Sequence, residues 1–444
     1  MGRDGRAIQS GHEFGIFRPM SSFIVSGGCE LGGTIRPAGN KNAALPVLAA
    51  TLMSAEPVTV RNVPRIRDVH TLLDIMESLG AAVTWTGPNV VVVDAAKLEA
   101  GDLDAELSER IRASILLAGP LLARFGSLSL PPPGGDVIGR RRLDTHLLAF
   151  RALGAEVEAS AGLDIRAPTL KGTDMFLDEP SVTATENAVM AASMAVGRTS
   201  IRNAAAEPHV QDLCHVLNAM GARIEGIGTS NLVIHGVRSL GRADYRIGAD
   251  HVETGSFIGL AAVTGSRLVI EGAPVAHLDS ILIGFRRLGI DCRVDGRDLI
   301  VDGREQPVIR MDAFGHIPKV DDGPWPAFPA DLTSIAVVAA TCARGTILIH
   351  EKMFESRMFF TDKLVAMGAR IILCDPHRVV VVGPSRLRGG RVESPDIRAG
   401  MAMLIAALGA RGESVIRNAD QIERGYERID ERLAALGARI ERRA

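Results

Sequence analysis

The stretch Leu433-Ala-Ala-Leu-Gly-Ala-Arg-Ile closes an apolar helical pattern with a glycine and then starts a short strand pattern. Variants of this stretch begin at five earlier positions, Met76, Phe150, Leu217, Phe285 and Leu364. A glycine directly after a helix commonly adopts the left-handed conformation that ends it. The six glycines fall at positions 80, 154, 221, 289, 368 and 437, so they are 67 to 79 residues apart. Self-similarity at such a period predicts six related units of helix and strand.

A second pattern in each unit is an apolar, alanine-rich helix followed by a short strand. These helices are predicted over residues 42–52, 111–123, 185–196, 254–263, 332–343 and 397–408. Helices that are apolar on most faces lie inside a domain rather than on its surface. We therefore predict an α/β protein of βαβ-type units built around buried helices. An open solenoid is the alternative, but irregular insertions at 167–179 and 303–329 favour closed domains.

The six units divide most simply into two groups of three. A long stretch without periodicity, residues 236–250, separates the third unit from the fourth. We expect one domain over 41–248 and a second over 21–40 and 249–444, with a ligand cleft between them. Residues 1–20 have neither a strand pattern nor an apolar run, so a flexible extension is expected there rather than a secretory signal.

Composition and missing motifs exclude several classes of function. The 50 Lys and Arg balance 52 Asp and Glu, which argues against nucleic acid or an anionic membrane as the main partner. Five scattered cysteines without metal-ligand spacing favour a reducing cytoplasm and neither zinc nor disulfides. No apolar run is long enough to cross a membrane. Phosphate-loop, dinucleotide, serine hydrolase and zincin motifs are absent, and His70, His209 and His215 are interpreted as ordinary packing or surface residues.

The loop over residues 130–146 carries a candidate acid beside a basic patch. Three prolines precede Gly134 and Gly135, and Asp136 is followed by three arginines at 140–142. This composition predicts a mobile lid that brings a carboxyl group over an anion site. A surface loop with a solvated basic patch is the alternative.

Basic side chains at the ends of apolar segments predict an anion site shared by both domains. Lys41 opens the first buried helix, where the positive end of the helix dipole adds to its charge. Arg112 lies in an otherwise apolar segment and needs a partner. Further arginines stand in later units, at Arg141, Arg357, Arg398 and Arg424. Such a set suits a substrate with several negative charges held by bidentate contacts.

Three carboxylates stand at or near the start of later buried helices. They are Asp250, Glu253 and Asp331. Each is a candidate for chemistry or for a simple helix cap, and the sequence pattern alone does not separate the two.

Longer motifs combine these residues in specific patterns. They are Ala38-Gly-Asn-Lys-Asn-Ala-Ala-Leu-Pro, Arg112-Ala-Ser-Ile, Gly134-Gly-x-x-Ile-Gly-x-Arg141-x-x-Asp144-x-His146, Ser181-Val-x-Ala-Thr-Glu-Asn, Asp250-x-x-Glu253-Thr-Gly, Phe328-Pro-x-Asp331 and Arg424-Gly-Tyr-Glu-Arg-Ile. In these motifs the sequence, over about residues 23–442, resembles the enolpyruvyl transferase family. The resemblance implies a fold of two inside-out α/β barrels, each of three repeats, which agrees with the six units.

The resemblance also implies a reaction and a role for individual residues. The enolpyruvyl group of phosphoenolpyruvate would pass to the 3-hydroxyl of UDP-N-acetylglucosamine, as in peptidoglycan synthesis, with release of phosphate and without metal or organic cofactor. Lys41 and Asn42 are implied to contact phosphoenolpyruvate, and Arg141 and Arg424 to bind its phosphate. Arg357 and Arg398 are implied to lie near its carboxylate. Residues implied for the UDP-sugar are Arg112, Arg141, Arg142, Leu143, Asp144, Thr145, Ser181, Val182 and Met353.

Two aspartates would exchange protons in that reaction. Asp331 would take the proton from the sugar 3-hydroxyl. Asp136 stands where most of the family has the lid cysteine that acts as general acid at C3. A carboxylic acid can take that role if the closed lid raises its pKa by desolvation. Fosfomycin inactivates the family by alkylating this cysteine, so we expect it to inhibit this protein only weakly.

Three departures from the family pattern lie near the expected nucleotide pocket. Thr183 replaces a glycine, Glu179 replaces a basic residue and Arg142 replaces a proline. They leave open a paralogue that acts on another nucleotide, such as UMP. A non-catalytic paralogue that senses sugar nucleotide is a separate alternative, and the intact Lys41, Arg141, Asp331 and Arg424 argue against it. A monomer is the expected oligomeric state.

Overall fold

The computed structural model describes residues 21–135, 139 and 141–443. The extension expected over 1–20 and the general acid expected at Asp136 lie outside the described residues. Among the helices that are described, none is long and apolar enough to cross a membrane.

Short strands and helices alternate along the described chain. The strands are β1 (Ser22–Ser26), β2 (Gly32–Ile35), β3 (Val58–Arg61), β4 (Ala82–Gly87), β5 (Val90–Asp94), β6 (Ser127–Leu130), β7 (Glu156–Ala159), β8 (Leu163–Arg166), β9 (Asp174–Phe176), β10 (Arg198–Arg202), β11 (Arg223–Glu225), β12 (Asn231–His235), β13 (Asp244–Arg246), β14 (Arg267–Ile270), β15 (Cys292–Asp295), β16 (Asp298–Asp302), β17 (Lys319–Asp321), β18 (Gly345–His350), β19 (Ile371–Asp375), β20 (Arg378–Gly383), β21 (Arg391–Glu393), β22 (Glu413–Arg417) and β23 (Arg439–Arg443). The α-helices are α1 (Lys41–Thr51), α2 (Arg67–Ser78), α3 (Ala105–Arg110), α4 (Ala118–Phe125), α5 (Asp144–Ala152), α6 (Val182–Ser193), α7 (Pro208–Ala219), α8 (His251–Thr264), α9 (Asp279–Arg287), α10 (Thr333–Cys342), α11 (Thr361–Ala366), α12 (Ile397–Gly409), α13 (Asp420–Glu423) and α14 (Ile429–Ala435). Short 3₁₀ helices span Arg112–Leu117, Val275–His277, Ala313–Gly315, Ala330–Leu332 and Arg357–Phe360.

The apolar helices predicted from the sequence form the interior. Helices α1, α4 and α6 belong to one core, and α8, α10 and α12 pack against one another in a second. The segment predicted as one helix over 111–123 is instead the 3₁₀ helix Arg112–Leu117 followed by α4. Ser114 lies in the 3₁₀ helix, and its hydroxyl is 3.1 Å from the carbonyl oxygens of both Ser108 and Ile111, so a local side-chain bond competes there with α-helical bonding.

Six small sheets surround these helices in the described part of the chain. Their strand orders are β13-β3-β5-β4, β6-β8-β7, β11-β12-β10-β9, β15-β16-β14-β2, β17-β18-β20-β19 and β21-β22-β1-β23. Each four-stranded sheet has one parallel edge strand and two antiparallel pairs. Buried and more exposed residues alternate along strands such as β5 and β20, so one face of the sheet packs on the helices. The predicted α/β fold of six units, with helices inside, is confirmed.

The helices and sheets enclose two separate hydrophobic cores. One core is drawn from residues 43–247, and the other from residues 23–35 and 252–438. The chain passes from one core to the other twice, near residue 40 and near residue 249. The two crossing segments are hydrogen-bonded to each other, because the backbone N–H of Asn40 donates to the carbonyl of Gly248 at 2.9 Å. Strands β1 and β2 complete sheets of the second core, while β13 joins β3 in the first. The domain limits expected at 41–248 and 249–444 stay a prediction.

The glycine that ends each repeated helix has a positive φ, between 79° and 107°. At Gly80 the backbone of a neighbouring segment also excludes a side chain, because a Cβ would lie 2.9 Å from the carbonyl oxygen of Lys97. The helix-ending role predicted for the six glycines is confirmed.

Candidate active site

A cavity of about 300 Å³ lies between the two cores and is lined by side chains of both. Most of the residues expected at a substrate site line it. They are Lys41, Asn42, Arg112, Arg141, Val182, Asp331, Met353, Arg357, Arg398 and Arg424. The structure therefore gathers basic side chains that are up to 383 residues apart in sequence, from Lys41 to Arg424.

The first turn of α1 places Lys41 at the wall of the cavity. Asn40 caps the helix, its side-chain oxygen accepting from the backbone N–H groups of Asn42 at 2.9 Å and Ala43 at 3.3 Å. The Lys41 ammonium is buried and lies 2.8 Å from a carboxylate oxygen of Asp68. Burial lowers the pKa of Lys41, and the Asp68 charge only partly opposes this shift.

Asp68, in the first turn of α2, holds a second cation. Its other oxygen accepts from Nε of Arg424 at 2.8 Å. Burial alone would raise the pKa of Asp68, but the charges of Lys41 and Arg424 outweigh it and keep this pKa below its ordinary value. We call these three residues the Asp68 cluster. Because Arg424 belongs to the second core, the cluster ties the two cores together beside the cavity.

A second carboxylate with two cations lies in the same cavity. Asp331, on the 3₁₀ turn before α10, accepts from Arg357 Nη1 at 3.0 Å and from Arg398 Nε at 3.0 Å. The two guanidinium groups overcome the effect of burial and hold the pKa of Asp331 far below its ordinary value, while Asp331 raises the pKa of both arginines. We call these residues the Asp331 cluster. Within the described residues, buried Nε of Arg357 and Nη1 of Arg398 have no hydrogen-bond partner.

Two further arginines approach the cavity from the base of the predicted lid. Arg112 donates from Nη2 to the carbonyl of Arg141 at 2.7 Å and from Nη1 to the carbonyl of Pro133 at 3.4 Å. Burial and the Arg141 charge lower the pKa of Arg112 to about 10, so it remains cationic at neutral pH. This part of the cavity thus combines six lysine and arginine side chains with the carboxylates of Asp68 and Asp331, which they neutralise, and it favours an anionic ligand.

Sequence and structure comparisons agree on the family. The model of the EPSP synthase (3-phosphoshikimate 1-carboxyvinyltransferase) family matches residues 25–433. The chain belongs to the EPSP synthase family. It is 64% identical to the UDP-N-acetylglucosamine 1-carboxyvinyltransferase of Bradyrhizobium diazoefficiens, over 95% of this chain and 97% of the relative. It is 54% identical to the enzyme of the same name from Treponema denticola, over 95% of this chain and 99% of the relative.

Solved structures of enolpyruvyl transferases have the same fold. The crystal structure of the enolpyruvyl transferase NikO from Streptomyces tendae matches with a TM-score of 0.83 at 25% identity, over 96% of this chain and 99% of the other. EPSP synthase from Acinetobacter baumannii matches with a TM-score of 0.73 at 18% identity, over 96% of this chain and 100% of the other. The predicted enolpyruvyl transferase fold is thereby confirmed.

Some residues that the family resemblance assigns to the UDP-sugar do not line the cavity. Arg142 donates to Asp144 at 3.0 Å and reaches Asp178 at 3.5 Å, and the Thr145 hydroxyl donates to Asp178 at 2.6 Å. These side chains form a polar cluster at the start of α5, outside the cavity lining. Two more residues, Leu143 before α5 and Ser181 before α6, are also absent from the lining. A role for them in nucleotide binding stays a prediction.

Several residues of the cavity were missed by the sequence interpretation. Asp68, Glu186, Glu207 and His209 all line it. The interpretation of His209 as an ordinary packing residue was incomplete, because this buried side chain faces the cavity. No sequence signal marked Asp68, since an acidic residue in the first turn of an amphipathic helix is usual.

Thr183, one of the three departures, is hydrogen-bonded beside the cavity. Its hydroxyl lies 3.0 Å from Nε2 of His146, whose Nδ1 lies 3.0 Å from the side-chain amide of Asn187. Burial and the Arg112 charge lower the pKa of His146 to about 3, so the ring is neutral. The replacement of glycine therefore adds a fixed hydroxyl to this wall. Among residues 21–135, 139 and 141–443, no group of three or more His, Cys, Asp or Glu side chains could hold a metal ion.

Proposed function

We propose that the protein transfers the enolpyruvyl group of phosphoenolpyruvate to the 3-hydroxyl of UDP-N-acetylglucosamine and releases phosphate. The observation that carries the proposal is the joint position of the Asp68 and Asp331 clusters in one cavity. The 64% identical relative, which is named for this reaction, supports the choice of acceptor. The cavity by itself supports an anionic substrate, and the identity of the acceptor rests on this relative.

The charges of the cavity suit the two ends of phosphoenolpyruvate. Its phosphate would lie on Lys41, Arg141 and Arg424, where an ammonium and two guanidinium groups can share three oxygens. Its carboxylate would lie on Arg357 and Arg398, the guanidinium groups that hold Asp331, because each guanidinium has five N–H donors and can bind a carboxylate with two of them. Asn42, in the first turn of α1, would contact phosphoenolpyruvate beside Lys41.

Arrival of that carboxylate would activate Asp331 as a base. While Arg357 and Arg398 hold it, Asp331 is a weak base because its pKa is far below the ordinary value. A substrate carboxylate that competes for the same guanidinium groups weakens their hold, so the pKa of Asp331 rises. Asp331 then accepts the proton of the 3-hydroxyl as the hydroxyl oxygen bonds to C2 of phosphoenolpyruvate.

Addition and elimination complete the proposed reaction. As the C2–O bond forms, C3 takes up a proton, for which the acid expected from the sequence is Asp136, outside the described residues. Loss of a proton from C3 and of phosphate from C2 then restores the double bond. Closing the site around both substrates excludes the water that would otherwise hydrolyse the intermediate.

Release of inorganic phosphate from phosphoenolpyruvate, measured with UDP-N-acetylglucosamine as acceptor, tests the proposal. Release with UMP but not with the UDP-sugar would instead favour the paralogue that acts on another nucleotide. Calorimetric binding of the UDP-sugar without any phosphate release would favour the sensing paralogue. We expect release with the UDP-sugar only, and formation of its enolpyruvyl ether by mass spectrometry.

A further inference from the structure

The motif Arg424-Gly-Tyr-Glu-Arg-Ile contains a tyrosine to which the proposed reaction gives no role. Tyr426 follows the short helix α13 and is fully buried in the second core. It lies on the same turn as Arg424, a member of the Asp68 cluster. Backbone bonds fix this turn, because the N–H groups of Gly425 and Tyr426 donate to the carbonyl of Ile422 at 3.0 Å and 3.1 Å.

The ring of Tyr426 packs against a member of the Asp331 cluster. Cζ of Arg398 lies over this ring, 5.4 Å from its centroid, which is within the range of a cation–π contact. Nε and Nη2 of Arg398 hold Oδ2 of Asp331 at 3.0 Å and 2.9 Å. The remaining nitrogen, Nη1, is buried and has no hydrogen-bond partner among the described residues. The electron-rich face of the ring therefore stabilises a buried guanidinium that Asp331 satisfies on one edge only.

A hydrogen bond to α8 fixes the orientation of this ring. The Tyr426 hydroxyl lies 2.9 Å from the hydroxyl of Ser256. Ser256 donates its own proton to the carbonyl of Val252 at 2.9 Å, so it accepts from Tyr426. Burial raises the pKa of the Tyr426 hydroxyl, and the Arg398 charge opposes this only in part, so the hydroxyl keeps its proton at neutral pH.

Gly425 brings the turn close to the start of α12. A Cβ at this position would lie 2.4 Å from Cγ2 of Ile397 and 3.8 Å from Nη1 of Arg398. A larger residue would push the turn and α12 apart, because packed atoms cannot approach so closely. The turn therefore joins the two clusters, since Arg424 belongs to one of them and the next residue but one, Tyr426, packs on the other.

We propose that Tyr426 is a positioning residue for enolpyruvyl transfer, because its buried ring holds the Arg398 guanidinium where it can bind both Asp331 and the substrate carboxylate. This inference rests on the proposed function and deepens it. Tyr426 does not line the cavity, so it acts through Arg398 rather than on a substrate. When phosphoenolpyruvate competes with Asp331 for this guanidinium, the ring keeps the arginine in place. The turn also holds Arg424 and Arg398 at a fixed separation, one for each end of phosphoenolpyruvate.

Substitutions at Tyr426 test this role. Tyr426→Leu removes the ring, so the KM for phosphoenolpyruvate should rise about 10- to 30-fold, as expected for the loss of a desolvated cation–π contact. Tyr426→Phe keeps the ring and should recover most of that loss. The KM for UDP-N-acetylglucosamine should stay the same, because Arg398 is assigned to the other substrate. Tyr426→Met, a second variant in case the leucine protein does not fold, should show the same loss as Tyr426→Leu.

Phe23→Leu is the matched control. Phe23 is also fully buried in the second core, and Cζ of Arg442 lies over its ring at 5.3 Å from the centroid, but neither residue lines the cavity. Both leucine variants should lower the apparent Tm, whereas only Tyr426→Leu should change the KM for phosphoenolpyruvate. An unchanged KM in Tyr426→Leu and Tyr426→Met, or an equal rise in Phe23→Leu, would overturn the positioning role.

Calorimetric titration with phosphoenolpyruvate alone separates this role from the proposed reaction. We expect Tyr426→Leu to weaken binding about 10- to 30-fold and Tyr426→Phe to restore most of it. A protein that binds phosphoenolpyruvate in this Tyr426-dependent way but releases no phosphate with any acceptor would refute only the proposed function. An unmodified protein that does not bind phosphoenolpyruvate, with or without UDP-N-acetylglucosamine, would overturn both.

Discussion

The Asp68 and Asp331 clusters have the same composition of charge, one carboxylate between two cations, but they are placed differently. The Asp68 cluster joins the two cores through Arg424, whereas every member of the Asp331 cluster lies in the part of the chain, residues 252–438, that forms the second core. The side chain of Asp68 is 7% exposed and that of Asp331 is 25% exposed. Both carboxylates line the cavity, but Asp331 is the more accessible of the two to a substrate. The difference separates a carboxylate that fixes the position of cations from one that can react.

The largest effect in this comparison is expected for Asp331→Asn. An amide of the same shape cannot accept the hydroxyl proton, so kcat for phosphate release should fall about 10²- to 10⁴-fold. Calorimetric affinity for UDP-N-acetylglucosamine should change little, because the proton transfer contributes to the transition state alone.

The control for this substitution is an aspartate that pairs with arginine far from the cavity. Asp244→Asn loses an exposed pair with Arg61 and should leave kcat and the apparent Tm nearly unchanged. An Asp331→Asn protein with ordinary kcat would remove this residue from the chemistry and would erase the distinction between the clusters.

Asp68→Asn should act on KM rather than on kcat. Without the carboxylate, Lys41 and Arg424 repel each other and lose their fixed separation, so the KM for phosphoenolpyruvate should rise about 10- to 100-fold. The apparent Tm should also fall, because a buried cation from each core loses its partner. A fall in kcat with an unchanged KM would show that Asp68 takes part in the chemistry itself.

A smaller effect of the Asp68 cluster is expected in the pH dependence of kcat/KM for phosphoenolpyruvate. Burial lowers the pKa of Lys41, so its ammonium loses the proton at a lower pH than an ordinary lysine does. The value of kcat/KM for phosphoenolpyruvate should therefore decline on the alkaline side at a pH below 10.5, the ordinary pKa of lysine.

Two substitutions check whether Lys41 is the source of this decline. In Lys41→Arg the guanidinium stays charged, so the alkaline decline should disappear even if the overall rate is lower. Lys97→Arg, at an exposed lysine, should keep the decline. Persistence of the decline in Lys41→Arg would assign it to another group.

The two clusters also differ in how well they could be predicted from the sequence. The six glycines and the apolar helices are local signals, so the repeat and the buried helices could be predicted without the structure. Lys41 and Asp331 stand in distinctive loops at helix starts. Asp68 gave no such signal, because its partner Arg424 lies 356 residues away and only the packing of two cores brings them together.

The sequence interpretation assigned no site role to the cavity residues Glu186, Glu207 and His209, for a related physical reason. Glu186 is part of the motif Ser181-Val-x-Ala-Thr-Glu-Asn, but no role was assigned to it. It lies inside an apolar helix, and whether a buried carboxyl group is paired or free depends on neighbours from other elements. His209 gave the same ambiguity, since a lone histidine near a helix start is more often a packing residue. Conversely, the family resemblance assigns Arg142 and Thr145 to the UDP-sugar, yet both side chains bond to Asp178 and lie outside the cavity lining.

The smallest expected effect concerns a third carboxyl group, Glu351, behind the Asp331 cluster. Its fully buried side chain accepts from the Thr333 hydroxyl at 2.6 Å and lies 3.9 Å from Nε of Arg357. Burial raises the pKa of Glu351 to about 8, with the Arg357 charge opposing and the adjacent Asp322 adding to the shift. A raised pKa in the folded state means that the folded protein keeps a proton that the unfolded chain releases above about pH 4.5.

This proton makes stability depend on pH in a direction that can be measured. The contribution of Glu351 is complete below about pH 4.5 and is lost as pH rises towards 8, with a slope of at most about 1.4 kcal/mol per pH unit. Glu351→Gln carries no titrating proton at this position, so its apparent Tm should rise relative to that of the unmodified protein as the pH is raised from 5 to 8. Above that range the difference should level off. A Tm difference that is constant with pH would mean that Glu351 is already ionised beside Arg357, and the Asp331 cluster would then hold two carboxylates for two cations.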